Sequence, residues 1–343
     1  MSSWRYRAVS MAVGLLALAI GLVLGAGPLL GPPVRRESGG SPGPLAGAGQ
    51  SLIVDSGAAA YDQQWTAALV GMLVDGRLTG VPVSVVVLPG TPSSLVASAR
   101  RTLLRAGARL TVTVTVQSAW SDPTRTSVLA DLASRLLPSG SRTPSAGTPQ
   151  RAATVLASAL VGATSPGAAH EGASAAILGG LGALGFITAD PVVAGTARLS
   201  MASAVVLLAP ARAPSGGTPS VTAPSVTATW WEPLADALAS SSRALLVAAP
   251  LSTAPLSAGG SPGLVTDLQT ASGRTPAGGA SAGGASAGPR NISTLAGADG
   301  QQGQVSLVLA LVEALAGHPG QYGLGSGATS GVLPPLPAGS PGG

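Results

Sequence analysis

The hydrophobic positions near the amino terminus form one long, uninterrupted apolar segment. Residues 8–30 read AVSMAVGLLALAIGLVLGAGPLL and contain no charged side chain. A segment of this length crosses the hydrocarbon core of a bilayer, so we predict a single transmembrane helix. Arg5 and Arg7 precede it, whereas residues 35–37 carry two arginines and one glutamate. The positive-inside rule therefore predicts residues 1–7 as a cytoplasmic tail, with the rest of the chain outside the cytoplasm.

A cleaved signal peptide is the competing interpretation, because residues 25–27 form a small-residue triplet of the kind that precedes a cleavage site. The apolar run is longer than the core of an ordinary signal peptide, which favours an uncleaved anchor. After the anchor, the Pro, Gly and Ser content predicts a flexible linker over residues 31–50. We expect an extracytoplasmic domain over residues 51–330 and a disordered tail over residues 331–343.

Farther along the chain, short apolar runs that suit buried strands alternate with segments of helical periodicity. The first two strands enclose a helix that ends before Gly107, which suits the position just past a helix end. Strand–helix–strand units predict a Rossmann-like α/β domain with a mainly parallel sheet. The predicted strands cover residues 83–88, 110–116, 203–209 and 244–249. The predicted helices cover residues 61–78, 92–105, 127–137, 152–161, 231–239 and 301–316.

The segments between these elements are rich in Gly, Ala, Ser, Thr and Pro, and we predict that they are disordered surface insertions. They cover about residues 138–150, 163–175, 211–229, 251–262 and 271–290.

Composition narrows the classes of function. Every basic residue is arginine and the net charge is +5, but the arginines are scattered apart from Arg35-Arg36 and Arg100-Arg101. Nucleic-acid binders cluster their basic residues in patches, so we predict no nucleic-acid partner. The chain has no Cys, which excludes disulfides, thiolate metal sites and cysteine nucleophiles.

One loop is a candidate for contact with a ligand or a partner. Trp120, Asp122 and Pro123 follow the second predicted strand, at the edge where α/β folds place ligands. Capping of the next helix is the simpler role for Asp122. Residues 89–92 lack the lysine and glycine pattern of a phosphate loop, and residues 323–327 predict a flexible loop rather than a dinucleotide site. No grouping of acid, base and nucleophile is recognisable, so we predict no catalytic residues, no cofactor and no enzymatic activity.

Three further segments are distinctive when taken together: YRAVSMAVGLLALAIGLVLGAGPL, the unit from VSVVVLPG to AGARLTVTVTVQSAWSDP, and NISTLAGADGQQGQVSLVLALVEALAGHPGQYGLGSGA. In this order they resemble the MctB family of actinobacterial copper transport outer-membrane proteins. The resemblance implies a role in copper transport and copper homeostasis in the cell envelope. A short Pro/Gly linker stands where family members commonly carry a charged coiled coil, so an assembly role for that coiled coil does not carry over.

Copper ligands are scarce in this sequence. Soft copper sites use Cys, Met and His. His170 falls in a predicted loop and His318 in a turn, whereas Met72 and Met201 fall on apolar helix or strand faces that predict core packing. We therefore predict no metal site, and contact with copper only weakly or transiently. A pore would require oligomers, because one spanning helix cannot enclose a channel.

The sequence thus predicts a membrane-anchored, non-enzymatic envelope protein, and its resemblance to the MctB family implies a part in copper transport or homeostasis. The alternative is an envelope scaffold or assembly partner for cell-wall or division machinery. A homo-oligomer and an envelope protein partner both remain open.

Overall fold

The computed structural model describes residues 70–137, 147–161, 168–191, 202–211, 227–251, 263–273, 292–324, 328–331 and 333–335. The predicted anchor at 8–30 and the linker at 31–50 lie outside these residues. No helix within the described ranges combines the length and the hydropathy that a membrane crossing requires.

Within the described residues, seven strands form one sheet in the order β3-β2-β1-β4-β5-β6-β7. All neighbouring strands run parallel except β2 and β3, which pair antiparallel. This order confirms the predicted mainly parallel sheet and follows the doubly wound arrangement. The strands are β1 Pro82–Val87, β2 Arg109–Val116, β3 Ile187–Pro191, β4 Ala204–Leu208, β5 Ala244–Ala249, β6 Ile292–Ala296 and β7 Gln321–Gly323.

Helices cover both faces of the sheet. Residues of α1 and α7 form a core with one face, and residues of α2 to α6 form a second core with the other face. Burial on both faces explains why β1, β4 and β5 are nearly continuous apolar runs. The helices are α1 Ser93–Arg105, α2 Thr126–Leu136, α3 Thr148–Leu160, α4 Ala168–Ala183, α5 Glu232–Ser241, α6 Leu264–Gly273 and α7 Gln301–Leu315.

Several predicted elements are confirmed nearly to the residue. Strand β5 covers the predicted 244–249, and helix α7 differs from the predicted range only at its last residue. Gly107 follows the α1 cap residue with φ 82°, as expected for a glycine past a helix end. Trp231, the first residue of the helix predicted over 231–239, is 3% exposed.

The predicted disorder of the small-residue segments is partly wrong. Helix α3 begins at Thr148 inside the predicted insertion 138–150, with Pro149 in its first turn. Helix α4 occupies much of 163–175, so His170 lies in a helix and not in a loop. Alanine has the highest helix propensity of all residues, and proline suits a first helical turn. The abundance of alanine and proline in these segments therefore favours helices and does not indicate disorder.

Similarly, a π-helical turn at Thr227–Trp231 and helix α6 extend into the insertions predicted at 211–229 and 271–290. Strands β3, β6 and β7 were not predicted, because each is short and mixes polar with apolar residues, whereas the equally short β4 is wholly apolar. Gly323 belongs to β7 and not to a flexible loop. A Cβ at this glycine would lie 2.1 Å from the Ala296 carbonyl oxygen, so the close approach of β6 and β7 requires it.

The prediction that Met72 packs in the core is wrong. Its side chain is 79% exposed, whereas Val74 and Leu78 are buried in the core beneath α1. The helical segment that contains Met72 ends at 74 and continues as turns. The helical periodicity that we extended to Leu78 therefore assigned the wrong residues to the buried face. Met201 lies outside the described residues.

The turn from β6 into α7 leaves no room for a side chain at Gly303. A Cβ there would lie 1.9 Å from the Gly297 carbonyl oxygen, whereas a Cβ at the helical Gly179 of α4 would contact nothing within 4 Å. We expect Gly303→Ala to lower the free energy of unfolding by about 2 kcal/mol or more, because the backbone must shift. Gly179→Ala is the control and should raise it by about 0.5–1 kcal/mol through helix propensity. Urea titration of the full chain, followed by circular dichroism, measures both changes. Equal stability of the two variants would contradict the packing described here.

Candidate functional site

The strand order reverses between β1 and β4, and doubly wound folds bind ligands beside the carboxyl ends of the strands at such a point. The loops that leave these two strands are 88–92 and 209–211 within the described residues. Their composition, Leu-Pro-Gly-Thr-Pro and Ala-Pro-Ala, includes no charged side chain. The edge where doubly wound folds bind ligands therefore offers only uncharged groups in the described loops.

Contacts within the described residues connect these two loops. The Thr91 hydroxyl lies 2.8 Å from the Leu88 carbonyl oxygen and 3.1 Å from that of Leu208, so it bridges the two strand ends. A Cβ at Gly90 would lie 3.7 Å from the Pro210 ring, and a Cβ at Gly263 would lie 2.5 Å from the Ala211 carbonyl oxygen. The described ends of β1 and β4 are therefore joined by the chain's own groups.

The predicted loop at Trp120, Asp122 and Pro123 does follow the carboxyl end of β2. Trp120 lies in a 3-10 turn over Ser118–Ser121 and is 1% exposed, with its ring in the core. Its indole N–H is buried and has no hydrogen-bond partner. Trp120 therefore contributes packing, and the loop presents Asp122 and Pro123 toward solvent.

Asp122 caps the turn that follows. Its carboxylate accepts hydrogen bonds from the backbone N–H of Thr124 at 2.8 Å and from the Thr124 hydroxyl at 2.7 Å. These bonds, together with the Arg125 charge, lower the pKa of Asp122. The capped element is the 3-10 turn Pro123–Arg125 that leads into α2, so the capping role predicted for Asp122 acts one turn earlier than expected.

The same loop is fastened to the start of β3. Arg125 donates a hydrogen bond to the Leu184 carbonyl oxygen at 2.8 Å, and its guanidinium lies 4.8 Å from the centre of the Phe186 ring. The Gln117 side-chain amide donates to the Thr188 hydroxyl at 3.1 Å. These contacts connect the loop to the antiparallel edge strand and hold it in one conformation.

Two carboxylates lie near the amino ends of α5 and α6. Burial, and secondarily the Glu232 charge, raise the pKa of Asp267 to about 6. The amino end of a helix ordinarily favours a charged aspartate, so loss of water outweighs the helix dipole here. Asp267 can therefore take up a proton under mildly acidic conditions.

The residues predicted as poor copper ligands are spread over separate elements. Met72 precedes β1, His170 lies in α4 and His318 follows α7. Among the residues the structure describes, no three His, Cys, Asp or Glu side chains converge as a metal site. Sequence reasoning missed Glu313, whose carboxylate lies 3.9 Å from the His318 imidazole. The available signal was a glutamate five residues before a histidine, across a glycine that ends the helix.

Taken together, the strand order and the helices on both faces define a doubly wound α/β domain. The chain belongs to the MctB family, described as copper transport outer membrane protein, whose family model matches residues 1–333. This membership confirms the resemblance seen in the three segments. It places the chain among copper-transport-related envelope proteins, and MctB is a copper transport family rather than a known enzyme family. No curated protein matches the chain.

The raised pKa of Asp267 predicts how stability depends on pH. Its ordinary pKa is 3.8 and its folded pKa is about 6, so the folded state holds the proton more tightly and loses stability as the pH rises between these values. An asparagine at position 267 carries no ionisable group, so Asp267→Asn does not lose stability as the pH rises. At pH 7 we expect a gain of about 1 kcal/mol, after a discount for the partial exposure of the carboxylate.

Urea titrations at pH 4 and pH 7 measure this effect, with Asp131→Asn on the exposed side of α2 as the control. The Asp267 variant should match the parent chain at pH 4 and exceed it at pH 7. A gain of the same size at both values would show that desolvation of the charge is not the cause.

Proposed function

We propose that this chain is a membrane-anchored, non-enzymatic envelope protein that takes part in copper transport or homeostasis. The observation that carries the proposal is the continuous family match over residues 1–333. This match includes the apolar segment 8–30, the linker and the α/β domain in one architecture. The α/β domain is therefore part of a copper-transport family member.

The composition of the carboxyl edge supports a role without catalysis. In a doubly wound enzyme, the crevice between the strands at the order reversal receives the cofactor or the substrate. Here the described loops 88–92 and 209–211 carry no charged side chain, and the Thr91 hydroxyl bridges the two strand ends. The domain accordingly presents surfaces to ions or to other envelope proteins, and the loop that carries Asp122 and Pro123 is one such surface.

Anchoring follows from the sequence of the apolar segment. Residues 8–30 are long enough to hold the domain at a membrane as a single-pass protein, with the amino terminus in the cytoplasm. In this arrangement the α/β domain meets copper outside the cytoplasm.

Cell-associated copper tests the proposal. A strain that lacks this chain should hold more copper than its parent when both grow with added copper, and the full chain should restore the parental amount. A chain with Leu18→Arg and Leu22→Arg should fail to restore it, because charges at the centre of a spanning helix oppose insertion. The matched control carries Leu18→Ala and Leu22→Ala and should restore it.

The contrary outcome is equally specific. Unchanged copper content together with altered cell shape or division would contradict the copper role and support a scaffold for cell-wall or division machinery. If the arginine variant restored the parental copper content, this would contradict the role of residues 8–30 as the membrane anchor, but not the copper role.

A further inference from the structure

The carboxyl end of α7 is built as a Schellman motif. Gly317 follows the cap residue with φ 90°, and its backbone N–H donates to the Ala314 carbonyl oxygen at 3.0 Å. The backbone N–H of His318 donates to the Glu313 carbonyl oxygen at 2.9 Å. These are the two hydrogen bonds that define the motif, and they bring the residues at its two ends together.

In most such motifs the two residues brought together are apolar. Here they are a histidine and a glutamate. The His318 Nδ1 atom lies 3.9 Å from the Glu313 Oε2 atom. The Glu313 side chain is 15% exposed and that of His318 is 77% exposed, so the carboxylate is held by its surroundings while the imidazole is open to solvent.

The turn that follows His318 is joined to β6 and packs against Tyr322 of β7. Its Gly320 accepts a hydrogen bond from the Thr294 backbone N–H at 2.9 Å, which fastens the turn to β6. A Cβ at Gly320 would lie 2.3 Å from the Tyr322 hydroxyl, so the missing side chain makes room for this ring.

We propose that His318 and Glu313 form an exchangeable binding site for a divalent copper ion, with water completing the coordination. The identity of the metal rests on the proposed function. Nitrogen and oxygen ligands suit Cu(II), whereas thiolates and thioethers suit Cu(I). Metal bonds to imidazole nitrogen and carboxylate oxygen are about 2 Å long, so atoms 3.9 Å apart can bind one ion from opposite sides.

Two features of the fold favour a cation at this place. The carboxyl end of a helix carries partial negative charge from its last carbonyl groups. Two protein ligands are also fewer than a closed metal site contains, and a site with few ligands releases its ion readily. Release is what a protein that passes copper onward requires.

The site lies at the amino edge of the sheet, because α7 runs back from the end of β6 to the start of β7. This is the edge opposite to the carboxyl ends of the strands, where doubly wound folds usually bind ligands.

Electron paramagnetic resonance of the full-length chain in detergent, loaded with one equivalent of Cu(II), tests the site. The chain has two histidines, which makes the assignment simple. Pulsed spectra of the parent should show coupling to one imidazole nitrogen. We expect His318→Gln to remove this coupling and His170→Gln, the matched control, to retain it. Glu313→Gln should weaken Cu(II) binding about tenfold and retain the coupling at saturating copper.

The opposite results overturn the site. They are retained coupling in His318→Gln, lost coupling in His170→Gln, or no coupling in the parent chain. His318 is exposed and its backbone bond is kept by any residue, so circular dichroism of the variants should match the parent. Intact imidazole coupling in a protein whose loss leaves cellular copper unchanged would overturn the proposed function and not the site. If the parent chain shows no imidazole coupling but loss of the protein alters cellular copper, the site is overturned and the proposed function is not.

Discussion

The pairing of β1 with β4 is the constraint on which the rest of the domain depends. It joins two strands that are far apart in the sequence, from Val83 with Ala204 to Val87 with Leu208. Both strands are buried on both faces, so their backbone groups must find partners in the sheet. From this central pair the chain winds outward in two directions, to β2 and β3 on one side and to β5, β6 and β7 on the other.

The same pairing determines where chemistry can occur. In doubly wound folds the reversal of strand order opens a crevice, and here the Thr91 hydroxyl joins the two strand ends beside it. Among the residues that the structure describes, polar groups are accessible at the capped loop of Asp122 and at the end of α7. Under the proposed function, such surface positions are where the domain would exchange copper with partners.

The sequence predicted the strands and helices whose pattern is local. Strand β5 is one uniformly apolar run, and α7 carries its periodicity over its whole length, so both were predicted nearly to the residue. The prediction failed where packing between elements determines the structure. Strand β7 exists because Gly323 can approach Ala296 closely, and Met72 is exposed because Val74 and Leu78 fill the core instead. Alanine-rich segments were assigned to disorder because composition alone does not separate a flexible linker from a good helix former.

The candidate sites show a similar division. Cap chemistry at Asp122 could be predicted, since an aspartate before a proline and a threonine suits a turn. The contact between His318 and Glu313 could not, because their pairing depends on the backbone bonds of the helix end.

Hydrogen exchange of backbone amides, read by mass spectrometry on the full chain, tests most directly the claim that a closed β1–β4 junction organises the domain. The amides of Leu88 and Ala209 donate to Leu208 and Ala248, respectively. Peptides that cover 83–91 and 204–209 should exchange more slowly than those that cover the edge strands β3 and β7. Fast exchange at 88–91, with slow exchange in the edge strands β3 and β7, would mean that the ends of β1 and β4 are not held together. That result would contradict this account.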